Sequence, residues 1–269
     1  MKANILYEKE DTGIFNYNLT DHKIGDVCGF RNFDGKQKDI VCIGAAQAMG
    51  RYVHNPYPSL IQDNSDYSVA NFGWGGVADY QYDTKEFVDY INNAKLLIYQ
   101  INSGRSTQNF NKNFNLGDVD IASRPPKIIE LYKNDFDTFM QYFKKNETDY
   151  LEESKSFRNK IKIPIIYVYI AKHKISEVSL HNIKKNKTEA FVYNFPHFVT
   201  RQMVKKLIAS DESGYFVQSE FHRLPKKIHT NSSSPQIYSQ IFETDDYYPD
   251  PHTHYDIAEF CIETINKII

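Results

Sequence analysis

The residues best suited to chemistry lie directly after short apolar runs. Asp39-Ile40-Val41-Cys42-Ile43 leads into Gly44-Ala45-Ala46-Gln47. Tyr67-Ser68-Val69-Ala70-Asn71 leads into Phe72-Gly73-Trp74-Gly75-Gly76, and the run from Lys95 to Ile101 into Asn102-Ser103-Gly104-Arg105-Ser106. Each run reads as a buried strand and each sequel as a tight polar turn. Helix-start amides at Ala46 and Gln47 can hold an anion. Asn71 and the glycines up to Gly76 let backbone amides approach a ligand. Ser103, Arg105 and Ser106, with Asn109 nearby, add a guanidinium and hydroxyls. The chemistry suggested is binding of a small polar or anionic molecule.

Plainer readings stand beside these. Gln47 either faces the site or caps its turn, and Arg51, one turn later, either faces the site or pairs with a surface acid. An arginine after so apolar a strand as 95–101 is costly unless paired or ligand-facing, so Arg105 is expected to join Gln47 in an anion clamp. Ser103 or Ser106 could serve as a nucleophile, but no spacing shows an activating base. Asp250-Pro251-His252-Thr253-His254-Tyr255-Asp256 has the residue types of a metal site. A helix starting near Thr253 would splay His252 from His254, so no metal is expected. No P-loop, dinucleotide-type glycine pattern or paired carboxylates occur, and no cofactor is expected. Asp118, Asp120 and Asp135 read as solvated, as does Lys184-Lys185-Asn186-Lys187.

The elements that must position these groups alternate. Strands are expected at 39–43, 67–71, 95–101, 163–170 and 214–217. Helical spacing covers 84–94, 127–144 and 198–208, and a last helix buries Ile257, Cys261, Ile265 and Ile268. Residues 107–116, rich in asparagine, read as loop, and 230–234 as a polar stretch. This order predicts a three-layer α/β/α domain with a central parallel sheet of about five strands. It forms a single unit over 1–269, with the weakly patterned 1–38 as an extension, a hairpin or edge piece packed on it. Ligands in such sheets sit beyond the carboxyl ends of the strands.

With 269 residues and a net charge of -2, the chain can bury a large core and lacks the basic excess that nucleic-acid binding needs. Three cysteines without a CxxC pair fit a reduced compartment, and no run nears the roughly 20 apolar residues of a membrane span, so a cytoplasmic location is expected. Its 20 tyrosines and 18 phenylalanines read mainly as core.

The turns also occur in an order that resembles SGNH (GDSL-type) hydrolases. Their first block, Gly-Asp-Ser-x-x-x-Gly, is matched by Gly44-Ala45-Ala46-Gln47-Ala48-Met49-Gly50, and their Asn-x-Gly-x-x-Gly by Asn71 to Gly76. Asn102-Ser103-Gly104-Arg105 replaces Gly-x-Asn-Asp, and Asp245-Asp246-Tyr247-Tyr248-Pro249-Asp250 stands for Asp-x-x-His-Pro-Asn. The resemblance therefore puts Ala46 where the nucleophilic serine belongs and Tyr248 where the histidine belongs, and it implies that Gly76 takes the oxyanion-donor position, with backbone amides at Ala46 and Gly76 stabilising developing negative charge. A methyl group cannot attack a carbonyl, and a phenol is a poor base near neutral pH.

A closer resemblance, over most of the chain, is to an uncharacterised bacterial family, a domain of unknown function (DUF6473). It rests on Gly44 to Tyr52, Pro56-Tyr57-Pro58, Asn71 to Gly76, Ser103 to Asn109, Phe195-Pro196-His197-Phe198-Val199-Thr200, and Tyr247-Tyr248-Pro249 to His254. It implies that Ala46 is native to the family and makes His254 the candidate acid, base or oxyanion donor. The two resemblances imply an atypical SGNH-like hydrolase or transferase. Its substrate would be a glycan or other polar or anionic molecule, in cell-surface polysaccharide modification. The alternative is a catalytically silent glycan- or anion-binding module.

Overall fold

Five of the apolar runs become strands, and in the computed structural model each lies parallel to its neighbours. The structure describes residues 1–11, 15–120, 124–184, 191–192, 194–208, 212–217, 222–229, 241–245 and 247–269. The expectations for 185–187 and 230–234, and the side chains of Asp245 and Asp246, lie outside the described residues.

In chain order the elements are α1 (Ile5–Glu10), β1 (Ile40–Gly44), α2 (Ala46–Met49), α3 (Tyr57–Asp63), β2 (Val69–Gly73), α4 (Asp79–Tyr82), α5 (Lys85–Asn92) and β3 (Leu96–Gln100). A 3-10 turn (Gly104–Ser106) and α6 (Phe110–Asn113) follow. Then come α7 (Arg124–Asn134), α8 (Phe136–Arg158), β4 (Ile165–Ala171), α9 (Leu180–Lys184), α10 (Arg201–Leu207) and β5 (Glu212–Val217). The antiparallel pair β6 (His222–His229) and β7 (Ile241–Asp245) precedes α11 (Pro251–Ile268).

The strand order is β2-β1-β3-β4-β5. The chain leaves β1 toward one edge and continues from β3 toward the other, so the crevice between their carboxyl ends is a topological switch point. Alternation along each strand builds two cores. Ile40, Cys42, Leu96, Ile98, Ile166 and Val168 face α3 and α11. Val41, Ile43, Leu97, Tyr99 and Tyr167 face the other way, toward α5, α7, α8 and α10. Period-2 side-chain alternation in strands covered on both faces accounts for both. Among the described residues no helix is long and apolar enough to cross a membrane.

Three elements differ from expectation. α8 runs on to Arg158 because its inner face buries Asn146 and Ser154 among Phe139, Phe143, Tyr150 and Phe157, which breaks the apolar periodicity. The asparagine-rich 107–116 hides α6. Among the described residues of 1–38 no hairpin strands form. They carry α1 and isolated bridges such as Lys2 to Cys28 and Leu19 to Arg31. Phe30 and Phe33 pack on Phe72 at 4.8 and 5.0 Å between ring centres. The buried Arg31 guanidinium donates to the carbonyls of Met49, Gly50, Val53 and His54, which shapes the loop after α2.

α2 lies so close to β2 that a Cβ on Gly73 would stand 2.1 Å from the Met49 nitrogen and 2.7 Å from the Ala48 carbonyl carbon. Backbone cannot yield as a side chain can. Gly73→Ala is therefore expected to destabilise the fold by about 3 kcal/mol, at the upper end of overpacking costs, as measured by urea unfolding, whereas Gly117→Ala meets no atom within 4 Å and tests only its left-handed backbone.

Candidate functional site

The turn after β1 is built by a residue from β3. The Gln100 side-chain oxygen accepts from the Ala45 and Ala48 amides at 3.1 and 2.9 Å. Gly44 is required beside it, since a Cβ there would come within 2.5 Å of the Gln100 Cβ. The expected anion cradle at the start of α2 is thus corrected: the helix has four residues, and a neutral amide already takes two of its first amides. Ala46 is buried and presents a methyl group, so residue 46 supplies no nucleophile. The Gln47 side chain is 1% exposed, and neither end of its amide has a partner among the described residues.

Asn71 serves the same turn. It donates to the Ala48 carbonyl at 3.0 Å and accepts from the Gly73 amide at 2.9 Å, so it holds α2 on β2 instead of facing a ligand. Gly76 is exposed with φ 75°, in the left-handed region that the loop requires. Arg51 is buried against internal acids, not open to solvent. Its Nε and Nη2 donate to the two Asp11 oxygens at 3.1 and 3.2 Å, and Nη2 also reaches Glu10 at 2.8 Å. Tyr248 meets Arg51 Nη1 through its hydroxyl at 3.4 Å, and burial keeps that phenol protonated.

The loop after β3 is fixed from α8. Asn146 donates to the Gly104 carbonyl at 3.1 Å and accepts from Thr107 at 2.8 Å, and the Tyr150 hydroxyl donates to the Asn102 carbonyl at 2.9 Å. Asn102 in turn donates to the buried Asp79 at 3.0 Å, which also accepts from Tyr99 and Ser154. Burial pushes the Asp79 carboxyl up despite those three donors. Ser103 caps the 3-10 turn: it accepts from the Arg105 amide, and its own proton goes to the His197 carbonyl at 3.1 Å. Ser106 is buried, with its amide on the Ser103 carbonyl. Neither geometry offers a base for a nucleophilic serine. Asn109 is exposed at the start of α6 and makes no capping bond.

Arg105 reaches across to the C-terminal segment. Its Nη2 lies 3.4 Å from the Tyr247 hydroxyl, while its buried Nε has no partner among the described residues. The same hydroxyl lies 2.9 Å from His197 Nε2, and His197 Nδ1 lies 2.7 Å from the Val192 carbonyl. A carbonyl only accepts, so Nδ1 carries the proton and Nε2 accepts from Tyr247. Burial, then the positive charge of Arg105, pulls the His197 imidazole well below its ordinary range, and it is neutral at pH 7. No hydrogen bond joins Gln47 to Arg105 among the described residues, although their loops leave neighbouring strands β1 and β3.

Asp250 caps α11, accepting from the Thr253 amide at 2.8 Å. This turn splays the two histidines. His252 is exposed and pairs with Asp256 at 3.1 Å, while His254 is buried, stacks on Tyr57 and accepts the Tyr57 amide at Nδ1, 3.1 Å away. His254 therefore positions the start of α3. No group of three or more His, Cys, Asp or Glu that could hold a metal occurs among the described residues. His197, Tyr247 and Gln100 are the groups that pattern reasoning passed over. His197 and Tyr247 did lie in segments of the family resemblance, the only signal that marked them.

A family model described as a domain of unknown function (DUF6473) matches residues 29–113, which hold β1, β2, β3 and their three loops. No curated protein matches the chain. Among solved structures it is similar to an extracellular lipase from Streptomyces rimosus, at 10% identity and TM-score 0.43, with 86% of this chain and 100% of the lipase covered. It is also similar to a GDSL-like lipase from Bacteroides ovatus, at 13% identity and TM-score 0.37, covering 90% of this chain and 56% of that one.

The neutral His197 has a direct consequence for stability. In the unfolded chain its value returns to about 6.5, so below that pH the unfolded state binds the extra proton. Its contribution is then full above pH 6.5 and falls as pH drops, by about 1.4 kcal/mol per unit. Glu153, held up at about 7 first by burial, works in the opposite sense. The comparison is therefore with His197→Gln: between pH 6.5 and 5 the variant should lose less stability than the wild type in urea titrations.

Proposed function

We propose that this chain is an atypical SGNH-like hydrolase or transferase that moves an acyl or related group on a polar, anionic substrate, such as an acidic glycan of the cell surface. The observation that carries this reading is the shared Tyr247 hydroxyl, which Arg105 and a neutral histidine approach together at the carboxyl edge of the sheet. Arg105 Nε, buried on the same guanidinium, has no partner among the described residues, and the buried Gln47 amide, in the turn after the neighbouring strand β1, has none either. Buried polar groups in folded proteins are nearly always paired, and a hydroxyl- or carboxylate-bearing ligand would pair these.

In this reading no side chain forms a covalent intermediate. Water, or the hydroxyl of an acceptor, attacks the substrate carbonyl and gives its proton to the Tyr247 oxygen, while Tyr247 passes its own proton to His197 Nε2. The pair then returns a proton to the departing oxygen, which leaves both residues as they began. Arg105 binds the anionic substrate and stabilises the negative charge that develops on the carbonyl oxygen. The electrostatics favour an anion specifically. Arg105 is the second cause of the depressed His197 basicity, after burial. A bound anion compensates that charge and raises the basicity of the imidazole when substrate is in place.

The test is turnover on acetylated oligosaccharides with and without uronic acids. Tyr247→Phe should lower kcat about 10²- to 10⁴-fold, the usual range for an acid–base group, with KM nearly unchanged. Arg105→Lys keeps the charge but loses the planar fork, so KM should rise for the acidic substrate only. Wild-type turnover in Tyr247→Phe would remove the basis for this mechanism.

A further inference from the structure

Residues 4–11 lie over the loops that follow β1 and β2. Asn4 donates to the Gly73 carbonyl at 2.9 Å and accepts from the Gly75 amide at 3.0 Å. The Tyr7 ring occupies the space a Cβ on Gly75 would need, 2.3 Å away. Glu10 and Asp11 complete the cover by pairing with Arg51. The backbone edge of the second glycine-rich turn and the arginine of the first are thus both taken up by one short segment of the same chain.

The Arg51 guanidinium has the form of a carboxylate receptor. Its carbon lies 4.2 Å from the centre of the Tyr7 ring, 4.7 Å from Tyr52 and 5.5 Å from Tyr248. Asp11 already engages it as a two-toothed fork, one oxygen on Nε and the other on Nη2. That is the geometry by which arginine selects planar carboxylates. The cage also borders the reacting centre, since the Tyr248 and Tyr247 rings touch with centroids 4.9 Å apart. α1 itself contributes no fully buried residue, in a fold whose strands are buried almost throughout. Its anchors are the half-buried Tyr7 ring, packed on the cluster of Phe15, Tyr17, Met49 and Tyr52, and the polar Asn4 and Asp11, the latter also accepting from the Tyr17 hydroxyl at 2.6 Å. A segment with so few buried apolar contacts opens at lower free energy than the core.

We propose that the Arg51 cage is a carboxylate-binding subsite, closed in this structure by Glu10 and Asp11, and that a carboxylate-bearing ligand enters by displacing residues 4–11. The word subsite rests on the reading of the Tyr247 centre given above; the cage and its cover do not. Atoms of the cover are exchanged for atoms of the ligand, carboxylate for carboxylate, so the guanidinium is never left buried and unpaired.

The experiment uses the full wild-type chain, with D-glucuronate as probe and D-glucose as the neutral control. Amide hydrogen exchange of residues 5–11 should speed up when glucuronate is added and stay unchanged with glucose, while amides 40–44 of β1 keep their protection. Calorimetry should show glucuronate binding about tenfold tighter to Glu10→Gln/Asp11→Asn, because the open form is then more populated. Arg51→Gln should abolish it. Glucuronate that fails to bind the wild type and the double variant, or that binds without loosening residues 5–11, overturns the proposal, as does an equal effect of glucose. Neither readout involves turnover, so this outcome is separable from the Tyr247→Phe assay that decides the enzymatic reading.

Discussion

The geometry of the crevice hangs on a single buried amide. Gln100 ends β3, yet its side-chain oxygen holds the Ala45 and Ala48 amides of the neighbouring turn after β1. A parallel sheet ends in loops that have lost the ladder and are too enclosed for water, so their backbone donors need side-chain acceptors. Gln100 supplies one across the switch point. The contact requires glycine at 44, draws α2 flat onto β2, and demands glycine at 73 in turn. Asn71 then closes the arrangement from the other side by holding Ala48. Tyr82 joins the two strand ends with one hydroxyl, which lies 2.7 Å from the Phe72 carbonyl and 2.9 Å from the Gly44 carbonyl, shares its single proton between them, and accepts from the Gly44 amide.

The loop after β3 is held by the same logic from a different direction. Asn146, Tyr150 and Ser154 recur at i, i+4 and i+8 along α8, which puts them on one stripe of that helix. Two of them bond loop carbonyls and the third bonds Asp79. Gly104 meets the Phe198 carbonyl so closely that a Cβ would stand 2.7 Å away. The Arg105 turn and the His197 segment are therefore packed backbone against backbone, although Ser103 and His197 are 94 residues apart in sequence. Their mutual placement matters because the charge of Arg105 reaches the imidazole.

Hydrophobic pattern made the layers legible, and it could do so because strand periodicity depends on burial alone. All five expected strands lie within two residues of the observed ones, whereas the glycines read as openings for a ligand instead admit the backbone of α2 at Gly73 and the Tyr7 ring at Gly75. The site was legible only in outline. Arg51 and Arg105 look alike in sequence, each a lone arginine near a strand end. What separates them is an acidic pair at the end of α1, Glu10 and Asp11, about 40 residues upstream of Arg51, a non-local fact. His254 and His197 are likewise indistinguishable in sequence. A buried histidine that accepts a backbone amide and one that accepts a phenol differ only in what the fold brings to them. Gln100 was invisible because a polar residue closing an apolar strand reads as the strand's end, not as the acceptor for another strand's turn.

Sequence separation also sets the order in which the Arg51 cage is completed during synthesis. Asp11 precedes Arg51 by 40 residues, whereas Tyr248 follows it by 197. On the ribosome the arginine therefore follows its acids, and the Tyr248 ring emerges long after both. A guanidinium waiting that long unpaired would be open to any passing carboxylate, including those of other nascent chains. Glu10 and Asp11 precede Arg51 in the chain, so its charge has internal partners within reach before Tyr248 is made to enclose it.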